Sequence, residues 1–342
     1  MILLICLCFV LTIISSIAIA IKKVQKNNLF SLNDFNVKNT LPLRGVLAIL
    51  IVIHHWSKSE AATAAPSIVH QFSVWGNLVV AAFFFLSGYG IMRSFNENRD
   101  VYMNGFIGKR TLKILPPFLI VILLYLSYAS IHQNCNAFWL FLSGQFHSSL
   151  INMWFVYLLF ALYLLFFCSV HFFRGMKILL FFQLTAICAY SGFLYAFHLP
   201  NYWYISVFAF IVGEYWSIQE YWMKAIILKR PQISLWTSFA VLLLFDMTYL
   251  ATESPLAIVV MCCILPLLIV EFVYFLNNLN SPVMNFLGTI SYEIYLTHGV
   301  FIDLLSKGAI ENIWTLFLAV LSISTVSAWI LHYACNAMRK LI

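Results

Sequence analysis

The sequence predicts an all-α protein, a polytopic membrane helix bundle of about eleven transmembrane helices. Three observations lead there. The 342 residues are 63% hydrophobic and 9% charged, with a mean hydropathy of +0.93, whereas a soluble domain is about 45–50% apolar and ~25% charged. Apolar runs near the ~20 residues that a bilayer demands recur along the whole chain. The basic residues fall almost entirely in every second connecting segment, as the positive-inside rule requires.

Met1 to Ile21 is a continuous apolar run followed at once by Lys22, Lys23 and Lys26. A cleaved signal peptide carries its charge ahead of its apolar part. Although Ala18-Ile-Ala20 resembles a cleavage site, residues 1–30 therefore read as an uncleaved N-terminal span with its N-terminus outside. Further spans are predicted at 42–57, 72–92, 114–131, 154–173, 178–197, 202–218, 233–250, 256–276, 286–304 and 313–335. Alternating from an outside N-terminus, the inside segments hold seventeen basic residues: Lys22, Lys23, Lys26, Lys38, Arg44, Arg93, Arg99, Lys109, Arg110, Lys113, Arg174, Lys177, Lys224, Lys229, Arg230, Arg339 and Lys340. The outside segments hold two, Lys58 and Lys307. This bias fixes the orientation, with the C-terminus in the cytoplasm. It also assigns the net charge of +7 to the inner membrane face, so the expected surroundings are a lipid bilayer and no nucleic acid.

No polar stretch between the spans is long enough to fold by itself, and there is no repeat or low-complexity tract. The eight cysteines show no paired zinc spacing and read as small apolar residues, so no metal and no disulfide is expected. Tyrosines and tryptophans such as those of Asn201-Tyr-Trp-Tyr204 suit the membrane interfaces.

Polar groups inside apolar runs carry the functional signal. Leu41 to Trp56 is an apolar helix with Arg44 near its start and His54 and His55 near its finish. At about 100° per residue, eleven steps bring His55 back to within roughly 20° of the face of Arg44, about 16 Å along the axis. His54 points about 100° away. The next span returns with Asn77 and Phe83-Phe-Phe-Leu-Ser-Gly-Tyr-Gly90, where Ser87, Gly88 and Gly90 are small enough for a helix or a substrate to approach closely. Arg110 and Lys113 lie three residues apart on one face, just ahead of Pro116 and Pro117, which should interrupt or kink the helix. That pair suits a polyanion, Arg through its fork and Lys as a point charge. In Gly288-Thr-Ile-Ser-Tyr-Glu-Ile-Tyr-Leu-Thr-His298, Ser291, Tyr295 and His298 form one polar stripe, while Glu293 and Thr297 form a separate pair. Glu214, Asp246, Glu271 and Asp303 also sit in or near spans. At least half of these acids are expected at interfaces or beside cations, and their roles stay unassigned. His132 and His147 fall in an outside loop.

Taken in order, these stretches resemble the acyltransferase-3 family of membrane acyltransferases. Arg44-Gly45 with a histidine eleven residues on is similar to the family's first signature, and Phe83-Phe-Phe-Leu-Ser-Gly-Tyr89 to its second. Lys109-Arg-Thr-Leu-Lys-Ile-Leu-Pro116 resembles its basic motif, with Lys113 where an arginine is usual. Trp154-Phe155 with Leu162-Tyr163, and Ser291 to His298, resemble two more. The resemblance covers about 40–335. It implies a ten-helix acyltransferase-3-like domain at 40–337, preceded by the N-terminal span at 1–30. It also implies transfer of an acyl group, commonly acetyl from acetyl-CoA as co-substrate, to a hydroxyl of a carbohydrate or lipid-linked cell-envelope glycan. No permanently bound cofactor is implied, and the location is the inner (cytoplasmic) membrane. His55 matches the family's essential histidine and Arg44 its arginine. Arg110 and Lys113 match the positions that handle the acyl-CoA. Ser87, Tyr89, Tyr295 and His298 are candidates for lining the acceptor channel. His55 would act as a base or carry the acyl group itself. The alternative class is a transporter or flippase of glycan or lipid intermediates. Many spans with intramembrane ionisable groups suit it as well, but the missing internal repeat speaks against it.

Overall fold

A computed structural model of the chain describes residues 2–24, 35, 37–59, 62, 66–132, 153–275, 281–306 and 312–340. His147, Cys135, Lys26 and Lys307 lie outside the described residues. Those residues form helices and no strand. The long helices are α1 (Ile2–Val24), α2 (Val37–Trp56), α3 (Gly76–Glu97), α4 (Phe106–His132), α5 (Met153–Phe172) and α6 (Met176–Ala196). They continue with α7 (Phe208–Lys229), α8 (Pro231–Thr252), α9 (Pro255–Phe275), α10 (Pro282–Thr289), α11 (Ser291–Ser306) and α12 (Ile313–Arg339).

Eight of these helices (α1, α3, α4, α5, α6, α8, α9 and α12) are long and apolar enough to cross a membrane by themselves. The other helices of the bundle carry the polar groups that the sequence points to. Arg44, His54 and His55 dilute α2; Glu214, Glu220 and Lys224 dilute α7; and α10–α11 is broken in two at Ile290.

Three expected boundaries shift. The span expected at 202–218 begins at Phe208, because Asn201–Trp203 closes a separate 3-10 turn after Pro200, and α7 then runs on to Lys229. Pro116 and Pro117 do not interrupt α4, which passes through both. They withdraw N–H donors only from the carbonyls of Leu112 and Lys113. Starting at Phe106 rather than at 114, α4 carries Arg110 and Lys113 in its first two turns, on the helical face expected of them. The span expected at 286–304 is two helices, and the Ser291 hydroxyl donates to the Gly288 carbonyl at 2.9 Å across the break.

Helices that alternate in direction leave the bundle with two ends. At one, here the basic end, the Arg99 guanidinium donates to the Val170 carbonyl at 3.1 Å. Phe35, fully buried, is wedged there against Phe85, Tyr89 and Tyr274. At the far end, the Leu3 N–H donates to Gln71 Oε1 at 3.0 Å, Trp56 meets Trp314 and Phe317, and Trp154 meets Tyr202 and Trp203. Most of α3 is buried at the centre, whereas α1, α6 and α8 turn Phe9, Phe181 and Leu244 outward. Phe9 of α1 packs on Trp236 and Phe239 of α8.

In lipid, helices gain little from apolar burial against each other and associate through close backbone approach and hydrogen bonds. Two glycine crossings supply that approach. A Cβ at Gly88 would stand 2.0 Å from the Phe210 carbonyl oxygen, and one at Gly213 would stand 2.1 Å from that of Phe85, so α3 and α7 are in backbone contact. A Cβ at Gly45 would lie 2.3 Å from the Met284 oxygen and one at Gly288 1.9 Å from the Leu41 oxygen, which locks α2 against α10. Gly88 thus serves helix packing. Gly90 has no foreign atom within 4 Å of such a Cβ.

Gly88→Ala and Gly213→Ala are expected to lower the melting temperature of the detergent-purified protein, each by the equivalent of about 1–3 kcal/mol of overpacking. Gly90→Ala should be neutral or stabilising by up to about 1 kcal/mol, through better helix propensity. A Gly88→Ala protein as stable as wild type would mean that α3 and α7 do not cross there.

Candidate active site

Helix α2 presents Arg44 and His55 on one face, as its eleven-residue spacing requires. Arg44 is half-buried, and its Nε is enclosed without a hydrogen-bond partner. An unmet guanidinium nitrogen in such a setting costs about 1–3 kcal/mol or more, so something outside the described residues is needed to satisfy it. Arg44 lies within electrostatic reach of Arg110 and of the Tyr163 hydroxyl. Lys113 in turn feels Arg110, Arg44, Arg339 and Glu293. Four cations from α2, α4 and α12 therefore stand near one another at the basic end, with the Glu293 carboxylate acting on the same group.

The Arg110 guanidinium lies over the rings of Tyr163 at 5.3 Å, Phe106 at 5.6 Å and Tyr102 at 5.8 Å, and it donates to the Tyr102 hydroxyl. This aromatic seat holds the plane of the fork. Beside it opens a cleft of about 400 Å³ whose lining includes Ser94, Tyr102, Phe106, Lys109, Arg110 and Lys113.

Three imidazoles gather at the other end of the α2 face. His54 is buried, donates from Nδ1 to the Phe72 carbonyl at 3.1 Å, and lies flat against Gly76, where a Cβ would stand 2.3 Å from Nε2. Its Nδ1 is thus taken up by the far-end turn, and its Nε2 is set against α3. The His55 ring centroid lies 4.7 Å from that of His54 and 5.0 Å from that of His298. His55 is only half-buried, and its ring makes no hydrogen bond among the described residues. His298, fully buried on α11, donates from Nδ1 to the Ile294 carbonyl at 3.0 Å, which leaves Nε2 as its lone pair. That nitrogen is enclosed without a partner.

The two stripes read on 288–298 part as expected. Tyr295 and His298 face inward, with Tyr295 against Phe155 at 4.8 Å and His298 at 5.8 Å. Glu293 and Thr297 face α12: Glu293 Oε1 is 2.8 Å from His332 Nδ1, and the Thr297 hydroxyl is 3.4 Å from the Ser324 carbonyl. Ser291 is spent on the helix break, and Ser87 is half-buried on α3. Tyr89 belongs to another group at the basic end. Its hydroxyl donates to the Phe35 carbonyl, accepts from Arg93 Nη1 at 2.5 Å and is 2.8 Å from Glu220 Oε2.

The acids correct an expectation. Glu214, Asp246 and Glu271 are buried rather than interfacial, and no cation pairs with them among the described residues. With its amide turned to suit, Gln183 donates to Glu214 at 2.8 Å, and Ser234 donates to Glu271 at 2.5 Å. Glu214 and Glu271 are thus met by neutral donors, which demand less desolvation than an ammonium would, whereas both Asp246 oxygens are enclosed without a hydrogen bond. Sequence reading gave no site role to Arg339, His332 or Tyr102. Only the folded chain brings α12 and the Arg99–Met103 turn to Lys113 and Arg110. No group of three or more His, Cys, Asp or Glu among the described residues is arranged to hold a metal ion.

Cations at one end of the α2 face and imidazoles at the other lie within one membrane bundle. A sequence model of the acyltransferase-3 family, described as an acyltransferase domain, matches residues 43–333. The chain belongs to that family and is a membrane acyltransferase. With that assignment the transporter alternative loses its ground. No curated protein and no solved structure matches the chain.

Gly76→Ala should drive the His54 ring from its place and break its bond to Phe72, at a cost of about 1 kcal/mol in stability. Because His54 backs His55, acyl-transfer activity should fall as well. Thermal melts and turnover measured on the same preparation check both effects.

Proposed function

We propose that this protein transfers an acyl group, acetyl in the first instance, from acyl-CoA to a hydroxyl of a carbohydrate or lipid-linked cell-envelope glycan. One observation carries the reading: a single helix face runs about 16 Å from the cation cluster of Arg44, Arg110, Lys113 and Arg339 to the half-open imidazole of His55. A CoA thioester has that division, with phosphates at one end and a reactive carbonyl at the end of a thin arm. The positive-inside bias supports a basic end in the cytoplasm, where acyl-CoA is made, and an N-terminus outside the inner membrane.

On this reading the phosphates sit at Arg110 and Lys113, with Arg44 at the mouth of the arm's path. As a base, His55 takes the proton of the acceptor hydroxyl while the oxygen attacks the thioester carbon. The C–S bond breaks, and the departing thiolate recovers the proton from His55. As an acyl carrier, the His55 nitrogen attacks first, the C–S bond breaks, and the hydroxyl oxygen then displaces the imidazole. Either route yields an ester and CoA thiol. Tyr295 and Ser87 are the candidates for orienting the acceptor.

Purified protein in lipid nanodiscs with labelled acetyl-CoA and a cell-envelope glycan extract tests this. Thiol release and label on glycan are expected from wild type, with a loss of about 10³-fold or more in His55→Ala. Arg110→Ala should raise the KM for acetyl-CoA about 10- to 100-fold and change kcat little, as loss of a charge-assisted contact to a remote part of the substrate would. Lys113→Arg should lower that KM a few-fold through a bidentate contact. No release of thiol from acetyl-, butyryl- or palmitoyl-CoA by wild type would sink the proposal.

A further inference from the structure

We infer that His298 is a positioning residue for His55: its Nε2 accepts the His55 N–H, so that the other nitrogen of His55 presents a lone pair to the reacting carbonyl or hydroxyl. This rests on the reading of His55 as the reacting imidazole, and it serves the base and the acyl-carrier routes alike.

His298 has its tautomer fixed. Nδ1 faces the Ile294 carbonyl at 3.0 Å and must carry the proton. Nε2 is then an acceptor, and it is enclosed with no partner although the residue is fully buried. A buried acceptor left unmet is uncommon enough to need a reason. The ring beside it that can donate is that of His55, whose centroid is 5.0 Å away and whose nitrogens make no hydrogen bond among the described residues. Two imidazoles joined by an N–H···N bond of about 2.9–3.0 Å have their centroids close to that separation. At the present ring orientations the bond is not made, and a rotation of the half-open His55 ring closes it.

His54 cannot take the part, since its Nδ1 is committed to Phe72 and its Nε2 lies against Gly76. Tyr295 is the other polar neighbour of His298, and its ring lies farther off, at 5.8 Å. His298 is enclosed behind His55, whereas His55 is half-open. His298 therefore acts through His55 and does not itself meet the acceptor. Its position resembles that of the third member of a triad, an acceptor behind the imidazole that selects the tautomer and steadies the charge formed on it.

The test compares three variants of the full chain in nanodiscs, with labelled acetyl-CoA and envelope glycan extract as the probes. His298→Met keeps the bulk and removes the acceptor. His298→Gln places an amide oxygen near the site of Nε2, and His298→Asn places one near that of Nδ1. Relative to wild type, His298→Met should lose about 10²-fold or more in kcat, with the KM for acetyl-CoA within about two-fold. His298→Gln should recover at least about ten-fold over Met, and His298→Asn should not, a pattern that loss of packing alone does not produce. Unimpaired turnover by His298→Met overturns the inference. If Met does not fold, equal loss in monodisperse Gln and Asn proteins overturns it just as well. A wild type no more active than His55→Ala sinks the reading of His55 instead, and that result is distinct from either.

Discussion

The arrangement of the site depends on how closely two backbones approach at Gly45 and Gly288. Lipid gives helices little apolar reason to associate, so contact distance between backbones, and the dispersion and hydrogen bonding it permits, decide the packing. With Leu41 and Met284 carbonyls where side chains would otherwise stand, α2 is locked to α10 at the basic end. The chain breaks at Ile290 immediately afterwards, and α11 leaves at a new angle beside α2. That break lets His298 meet His55 while Glu293 turns to His332 on α12. A continuous helix over 282–306 would carry one direction through both contacts.

Charge is distributed along the molecule with the same economy. The cations of α2, α4 and α12 meet at one end, and each side chain there is held by groups that do not neutralise it: aromatic rings around Arg110, an enclosed but unmet Nε on Arg44. The neighbouring network of Tyr89, Arg93, Glu97 and Glu220 is by contrast internally paired. The second network also pins Phe35, whose carbonyl accepts from Tyr89 and Arg93.

Much of this was legible in the sequence because each signal was a violation of its surroundings. Arginine and histidine in an apolar run, or two cations three residues apart ahead of a span, stand out without any knowledge of tertiary contacts, and the eleven-residue spacing sets a shared face by helical geometry alone. What was not legible depended on partners distant in the chain. The pairing of His55 with His298 joins residues 243 positions apart, and nothing in either stretch names the other. The buried acids were misjudged for the same reason, since Gln183 and Ser234 look like unremarkable polar residues until α6 and α8 bring them to Glu214 and Glu271. Helix ends moved where local chemistry outweighed hydropathy, as at the turn after Pro200 and the break at Ile290.

The three polar helical segments, α2, α7 and the broken α10–α11, also bear on how the protein is made. An arginine opposes insertion by up to about 2.5–3.5 kcal/mol at a helix centre and by less toward an end; α2 carries one near its start and two histidines near its finish. Such a segment partitions into the bilayer poorly by itself and enters in the company of an apolar neighbour that shelters it. For α7 the neighbour is α3, already closed on it through Gly88 and Gly213. For α2 it is again α3, which follows it in the chain and seats His54 against Gly76. Buried along most of its length, α3 thus shelters two polar helices, and both enter the bilayer on the same apolar support.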